Sequence, residues 1–364
     1  MYENRIHNFS AGPAVLPLPV LKKAREEFLS LNGIGMSVLE ISHRSREFEE
    51  ILHKAEQNLR QLLSVNNDYA ILFLQGGASL QFSMVPMNLH IPGKSVDLLQ
   101  TGMWTQKAQK EIEKICPVRL AASTEKENFL RLPTKDEISL SKDAAFVYMC
   151  SNNTIFGTQW KWFPETGEIP LVADMSSDIL SRKIDVQKFG LIFAGAQKNL
   201  GPAGVTVVII RKDLAERADR NLPTMLQYRT HIKENSLYNT PPTFGIYMIA
   251  LVTEWVQNLG GLEAIEKRNE EKAAILYREI DQNPLFYAPV KKEDRSLMNV
   301  VFRIKDNNEE LEKKFVQEAE KAGLSGLKGH RSVGGLRASI YNACEKSSVE
   351  ALVNFMQDFS RRYG

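Results

Sequence analysis

One lysine stands in an otherwise uncharged stretch, "FAGAQKNLGPAG" over residues 193–204. Apolar runs flank it at 191–193 and 205–210, so Lys198 lies between two segments that read as buried strands. A desolvated ammonium is costly, which leaves two readings. Lys198 snorkels to solvent from a loop, or it is held where the ammonium is disfavoured and the free amine becomes a nucleophile. Three more features follow apolar runs, where open α/β sheets place their ligands. "ILFLQGGASLQF" passes from a strand through two glycines into a helix beginning near Ala78 and Ser79. Its free N–H groups and positive helix end form a phosphate cup, with the Ser79 hydroxyl as a further donor; the bland alternative is a tight turn. Trp104, in "LLQTGMWTQKA", is either core or a face on which a planar ring stacks. "IPLVADMSSD" ends a strand with Asp174, which either caps a following helix or answers a cationic partner.

A phosphate cup, a stacking aromatic, an acid and a desolvated lysine are together what pyridoxal phosphate requires. The acid keeps the pyridine nitrogen protonated so that the ring can act as an electron sink, and the lysine holds the aldehyde covalently and later carries protons. Asp174 precedes Lys198 by one strand-and-loop interval, so both reach one ring from adjacent strand ends.

The elements that must position these residues are legible as seven short apolar runs, at 71–74, 96–99, 118–120, 145–149, 169–173, 191–193 and 205–210. Helix-length polar segments separate several of them, which argues for an α/β sheet with crossover helices. Only about a dozen residues part the sixth run from the seventh, too few for a crossover helix, so the seventh strand is expected to run antiparallel in a mostly parallel sheet. Ahead of the sheet, Phe48, Ile51, Leu52, Ala55, Leu59, Leu62 and Leu63 follow helical spacing. A long helix through 243–258 ends at "LGG", where Gly260 and Gly261 can cap it. Beyond lie a strand "NVVFRI", a helix closed by Gly323, a strand "GLRASIY" and a last helix opened by a capping box, Ser347 to Glu350. The fold class expected is α/β: a large domain over 16–260 and a smaller α+β domain over 261–364. Residues 1–15 are expected to pack with the small domain or the active site.

Composition closes off other classes. The 364 residues are 43% hydrophobic and 25% charged, with a net charge of +2 and both signs interspersed, so neither nucleic acid nor an anionic membrane is implied. No apolar h-region opens the chain and no apolar run approaches 18 residues. Cys116, Cys150 and Cys344 lack metal-ligand spacing and read as buried thiols of a cytoplasmic enzyme. No metal site is expected. "QGGASL" has the wrong glycine spacing for a dinucleotide fingerprint.

The stretches "NFSAGPAVLP" (8–17), "EISHRSREF" (40–48), "QGGASLQF" (75–82), "SNNTIFGTQW" (151–160), "FAGAQKNLGPAG" (193–204), "NTPPTFGIY" (239–247) and "LKGHRSVGGLRASIYN" (327–342) carry a resemblance. In this order they are similar to the phosphoserine aminotransferase family of fold type I pyridoxal-phosphate enzymes, across nearly the whole chain. The resemblance implies Lys198 as the cofactor lysine, Asp174 as the partner of the ring nitrogen, Trp104 as the stacking face and Thr154 on the 3-hydroxyl side. It implies Ala78, Ser79 and Gln197 at the cofactor phosphate. It also implies a homodimer in which Asn239 and Thr240 reach the neighbouring subunit's phosphate. Some members carry an arginine in the cup where this chain has Ser79, so here backbone amides and hydroxyls must compensate the charge.

The implied substrates, O-phospho-L-serine and glutamate or 2-oxoglutarate, need two separated anion sites. Arg337 in "GGLRAS" suits an α-carboxylate, gripped by two hydrogen bonds. Two His-Arg pairs, His43-Arg44 and His330-Arg331, suit the phosphate, although Arg-rich loops more commonly form surface salt bridges. The four other histidines, His53 and His90 among them, carry no assigned role. 4-Phosphohydroxy-L-threonine keeps both anions and is a further expected substrate. Three rivals stand beside this reading. A serine- or alanine–glyoxylate aminotransferase of the same fold needs Lys198 and Asp174 but not both His-Arg pairs. Cysteine desulfuration needs a mobile nucleophilic cysteine, which neither Cys150 nor Cys344 resembles. A cofactor-binding protein without turnover would leave Lys198 and its partners unexplained.

Overall fold

Continuous apolar runs ask for burial on both faces, and the long runs of this chain obtain it. In the computed structural model, which describes residues 5–364, the strands in chain order are β1 (His7–Asn8), β2 (Tyr69–Leu74), β3 (Val96–Gln100), β4 (Val118–Ser123), β5 (Val147–Cys150), β6 (Leu171–Asp174), β7 (Leu191–Gly195), β8 (Thr206–Arg211), β9 (Phe286–Tyr287), β10 (Asn299–Ile304), β11 (Leu324–Ser325) and β12 (Leu336–Ser339). The helices are α1 (Leu18–Glu26), α2 (Arg46–Leu63), α3 (Gly77–Leu89), α4 (Met103–Ile112), short α5 (Lys212–Ala215) and α6 (Tyr228–Lys233), α7 (Thr243–Asn258), α8 (Gly261–Gln282), α9 (Glu309–Lys321) and α10 (Lys346–Tyr363).

Strands β2 to β8 form one seven-stranded sheet in the order β2-β8-β7-β6-β5-β3-β4. Only β8 runs against its neighbours, pairing antiparallel with both β7 and β2, as the short link before it requires. Every apolar run of the large domain becomes a strand, with ends displaced by up to three residues, as where Asp174 and Cys150 continue the ladder and β4 runs on to Ser123.

The sheet divides two apolar cores. One face carries Ile71, Phe73, Leu99, Val147, Met149, Ala173 and Ile192 against α2 and α7. The other carries Leu72, Leu98, Tyr148, Val172 and Phe193 against α3 and α4. The alternation along each strand is what a period of two demands. In α2, Phe48, Leu52, Ala55, Leu59 and Leu63 are buried, and the Ser45 hydroxyl accepts from the Phe48 N–H at the helix start.

A third core gathers Ala273, Leu276, Phe302, Phe315, Leu336, Leu352 and Phe359 around the three-stranded sheet β12-β10-β9. Phe9 joins it, because β1 pairs in parallel with β11. Two expectations need correcting. α10 starts at Lys346 with Glu345 at its N-cap and no side-chain cap, so Ser347 lies within the first turn and the box with Glu350 does not form. Asp174 caps no helix, because the residues after it make turns instead. No helix among the described residues is long and apolar enough to cross a membrane.

Candidate active site

Strands β2, β3, β5, β6 and β7 run the same way, so their carboxyl ends open on one edge of the sheet. Every large-domain candidate named from the sequence except His43, Arg44, Asn239 and Thr240 follows one of those ends. β2 delivers Gly76 to Ser79, β3 delivers Trp104, β5 delivers Thr154, β6 ends on Asp174 and β7 leads into Gln197 and Lys198. The turn after β7 is closed by a hydrogen bond from the Ala196 N–H to the Val205 carbonyl, 2.9 Å. That turn aims Lys198 back across the sheet edge.

Lys198 Nζ donates to Thr154 Oγ1 at 2.7 Å and lies 6.0 Å from the Trp104 ring centroid. Burial pushes its pKa down from the ordinary lysine value; the Asp174 carboxylate opposes that and Arg337 adds to it. Asp174 is buried, and its Oδ1 accepts from the Ser176 N–H at 2.9 Å. Burial raises its pKa, while the Ser176 donors and the Lys198 amine pull it back. An amine pushed toward its neutral form and an acid short of partners face one cleft, a pattern typical of a reacting site.

Arg337 comes from β12 and crosses to the large sheet, where Nη1 donates to the Thr154 carbonyl at 3.0 Å. Its Nε is buried with no protein partner, as is Trp104 Nε1. α3 opens at Gly76 (φ 86°) with no side-chain cap and no acidic residue in its first turn. A side chain at Gly76 would collide with Leu80, whose Cδ2 lies 2.5 Å from where a Cβ would stand. The first N–H groups of α3, including those of Ala78 and Ser79, therefore keep the open positive end that binds an anion.

The class-V aminotransferase family matches residues 6–352. The phosphoserine aminotransferase of Geobacillus kaustophilus (strain HTA426) is 58% identical over 360 residues, covering 99% of each chain. The chain belongs to the class-V aminotransferase family. Among solved structures, the phosphoserine aminotransferase from Bacillus circulans subsp. alkalophilus is 51% identical with a TM-score of 0.97, covering 99% of each chain. A pyridoxal-phosphate-bound phosphoserine aminotransferase from Trichomonas vaginalis is 44% identical with a TM-score of 0.93, covering 97% of this chain and 100% of that one.

For an aminotransferase of this family, the donor set fits pyridoxal phosphate. The uncapped start of α3 suits a phosphate, Trp104 offers a ring face, Asp174 has an oxygen to spare, and Lys198 is already desolvated. Sequence reading missed several positioning groups. Thr154 Oγ1 donates to Ser177 Oγ at 3.0 Å, and Ser177 donates to the Asn152 carbonyl at 2.9 Å, so the Thr154 lone pairs face the amine. Asn153 Nδ2 donates to the Thr101 carbonyl at 2.6 Å. Its Oδ1 would lie 2.1 Å from a Cβ on Gly102, so only glycine lets the Trp104 helix approach. Asp178 binds the Ser151 hydroxyl and Gln159 Nε2 and ties the Thr154 loop to the strand end carrying Asp174. The signal for Ser177 was the "SS" after Asp174, which by itself reads as a plain turn.

The N-terminal segment also returns to the site. Gly12 lies against Lys198, whose Cγ is 3.5 Å from where a Cβ would stand. The Ala14 N–H donates to the Gln197 carbonyl at 2.8 Å. Of the two His-Arg pairs, His330-Arg331 is brought close: Val333 of the same loop packs with Trp104 against Phe129, Ile155 and Phe156. His43-Arg44 sits in the turn before α2, and no hydrogen bond, ion pair or ring contact joins it to Lys198, Thr154 or Arg337 among the described residues. Asn239 Nδ2 donates to Gln75 Oε1 at 3.0 Å, and Gln75 Nε2 to the Thr240 carbonyl at 3.1 Å, just ahead of the α3 cup of the same chain. Cys150 is buried and its thiol pKa is pushed well above the usual value, unlike the exposed thiolate that desulfuration needs.

Proposed function

We propose that this chain is a pyridoxal-phosphate-dependent phosphoserine aminotransferase, interconverting O-phospho-L-serine and 2-oxoglutarate with 3-phosphohydroxypyruvate and L-glutamate in serine biosynthesis. The observation that carries the reading is the charge around the cleft. Arg337, His330 and Arg331 have no carboxylate partner among the described residues, beside a desolvated lysine and a buried acid. Such a cluster repels itself until an anionic substrate enters. 4-Phosphohydroxy-L-threonine, with the same two anions, is a second substrate of the same pocket.

Bound pyridoxal phosphate supplies the carbonyl that takes up the amine and the ring that accepts the electron pair left at Cα. Asp174, buried and with an oxygen to spare, would be the residue that keeps the ring nitrogen protonated. Trp104 covers one ring face and excludes water. With its amine free, Lys198 Nζ would take the Cα proton of the bound substrate as a general base and then hand it on as a general acid. Thr154 keeps that amine aligned, because its own proton is committed to Ser177. Ala78, Ser79 and Gln197 hold the cofactor phosphate. Arg337 grips the α-carboxylate, and His43, Arg44, His330 and Arg331 hold the phosphate or the second carboxylate.

The chain works as a cytoplasmic homodimer with Asn239 and Thr240 reaching the neighbouring site. Supporting this is an exposed apolar run in one short segment, Phe28 at 42%, Leu29 at 81%, Ile34 at 46%, Met36 at 45% and Leu39 at 53%, close before His43. The working division is 16–260 for the cofactor domain and 261–364 for the small domain, with the segment 1–15 packing with the small domain or the active site; residues 1–4 lie outside the described residues, and the rest runs from β11 at β1 to Lys198 at Gly12. The third apolar core supports it, while Leu262 and Ile265 at the start of α8 still pack on the first.

The test is the visible absorption spectrum of the cofactor-loaded protein with L-phosphoserine and, separately, with L-serine or L-alanine. Loss of the lysine-linked cofactor band with phosphoserine alone is the expected result. Equal conversion by serine or alanine would transfer the chain to the glyoxylate-type aminotransferases. Arg337→Lys is expected to raise KM for phosphoserine on the order of ten- to a hundredfold, because an ammonium cannot hold a carboxylate with two parallel bonds and the Thr154 carbonyl as well. Steady-state kinetics check it, and an unchanged KM would remove Arg337 from the carboxylate site.

A further inference from the structure

We propose that Lys107 is a specificity-determining residue, whose ammonium supplies part of the positive charge that reads the substrate's phosphate; the inference rests on the phosphoserine reading of the site. Lys107 lies on α4 one turn beyond Trp104, with Nζ 4.6 Å from that ring's centroid. Lys198 Nζ reaches the same ring at 6.0 Å, so the two amines belong to one neighbourhood. The loop bearing His330 and Arg331 joins them there through Val333, which packs in the apolar cluster that includes Trp104.

The charges argue the same way. Lys107 has no ion pair or hydrogen bond among the described residues, although Glu111 one turn on is paired with Lys114 and Glu125 takes Gln106. Burial, and then Arg337, Arg331 and Lys107, push the His330 imidazole below the usual histidine pKa, so each of these three cations acts on the loop that carries His330. His330 Nδ1 lies 2.6 Å from the Ser332 hydroxyl and accepts from the Ser332 N–H at 3.3 Å, leaving Nε2–H as a donor. Among the described residues none of Lys107, His330, Arg331 and Arg337 forms an ion pair with a carboxylate, and a phosphate dianion offsets more of their mutual repulsion than a carboxylate. A flexible four-carbon stem lets Lys107 leave the indole for that dianion.

Lys107→Met and Lys107→Arg separate charge from bulk. With the cofactor-loaded variants, Lys107→Met is expected to raise KM for phosphoserine on the order of tenfold. Its KM for L-glutamate should rise less than about threefold, its kcat for both should hold, and Lys107→Arg should restore the wild-type preference. Inorganic phosphate, tested as a competitive inhibitor, should lose affinity in Lys107→Met in step with phosphoserine. An equal loss for phosphoserine and glutamate would mean that Lys107 merely steadies Trp104, and a change below twofold would mean that it faces solvent; either overturns the proposal. A wild-type enzyme that fails to prefer phosphoserine over serine would instead overturn the function itself, so the two failures are told apart.

Discussion

Lys198→Ala is expected to lower amino-group transfer from phosphoserine by at least about 10⁴-fold, because one side chain supplies both the covalent tether and the proton carrier. The desolvated setting of Lys198 and its 2.7 Å bond to Thr154 mark the amine as placed for use. Removing it leaves a cavity at the mouth of the cleft beside Gly12. A small primary amine such as methylamine should enter that space and return part of the proton transfer, which a folding defect would not allow. Single-turnover absorbance with and without added amine measures both effects. Activity within about tenfold of wild type would sink the assignment. Lys198→Arg, which keeps charge and bulk without a nucleophile at neutral pH, should be as inactive as alanine.

Asp174→Asn is expected to lower kcat by about 10²- to 10⁴-fold. Losing the charge leaves a buried ring cation without its partner, a cost of about 3–5 kcal/mol, and about 1.4 kcal/mol is tenfold in rate. The same substitution should act oppositely on the cofactor-free protein. Burial raises the Asp174 pKa on folding. The carboxyl therefore favours the folded state below its ordinary unfolded pKa, and that contribution is lost as pH rises through the raised folded value. Above that raised value the cofactor-free chain bears a desolvated carboxylate, and asparagine relieves it. Thermal melts should show the cofactor-free variant at least as stable as wild type at pH 7, with the advantage gone below pH ~4. The cofactor-loaded pair should rank the other way. A variant less stable in both forms would show that Asp174 serves the fold rather than the ring nitrogen.

Most of the sheet was readable because its strands are long enough to be buried on both faces, and a missing crossover leaves only one direction for β8. Lys198, Asp174 and Trp104 were readable for a related reason: polar groups that interrupt apolar runs have few innocent uses. The groups that align them were not. Ser177 and Asn153 act through hydrogen bonds that reach residues distant in sequence, which no periodicity records. Lys107 looks like any lysine on an exposed helix face until Trp104 and the His330 loop are seen beside it. The box at Ser347 failed because Glu345 ends the preceding turn two residues earlier and α10 starts at once, a difference that local sequence does not resolve. His43 and Arg44 were legible as a motif, but one chain offers them no contact with Lys198.

The segment from β1 to Gly12 sets an order of events during synthesis. Ala11 accepts a hydrogen bond from the Tyr341 hydroxyl across 330 residues, and among the described residues β1 pairs with β11 alone. Residues 7–12 are made long before β11 and Tyr341 and must wait for both before they settle fully. Until then the strip that covers Lys198 is anchored to the large domain only from its Ala14 end, at the Gln197 carbonyl. Contacts this far apart in sequence carry the largest loop-closure cost and form late. The large sheet can assemble while the small domain is still being made, but a nascent chain cut short before β11 would hold Lys198 uncovered. Closure of the lysine pocket, unlike assembly of the sheet beneath it, then waits until synthesis has passed Tyr341.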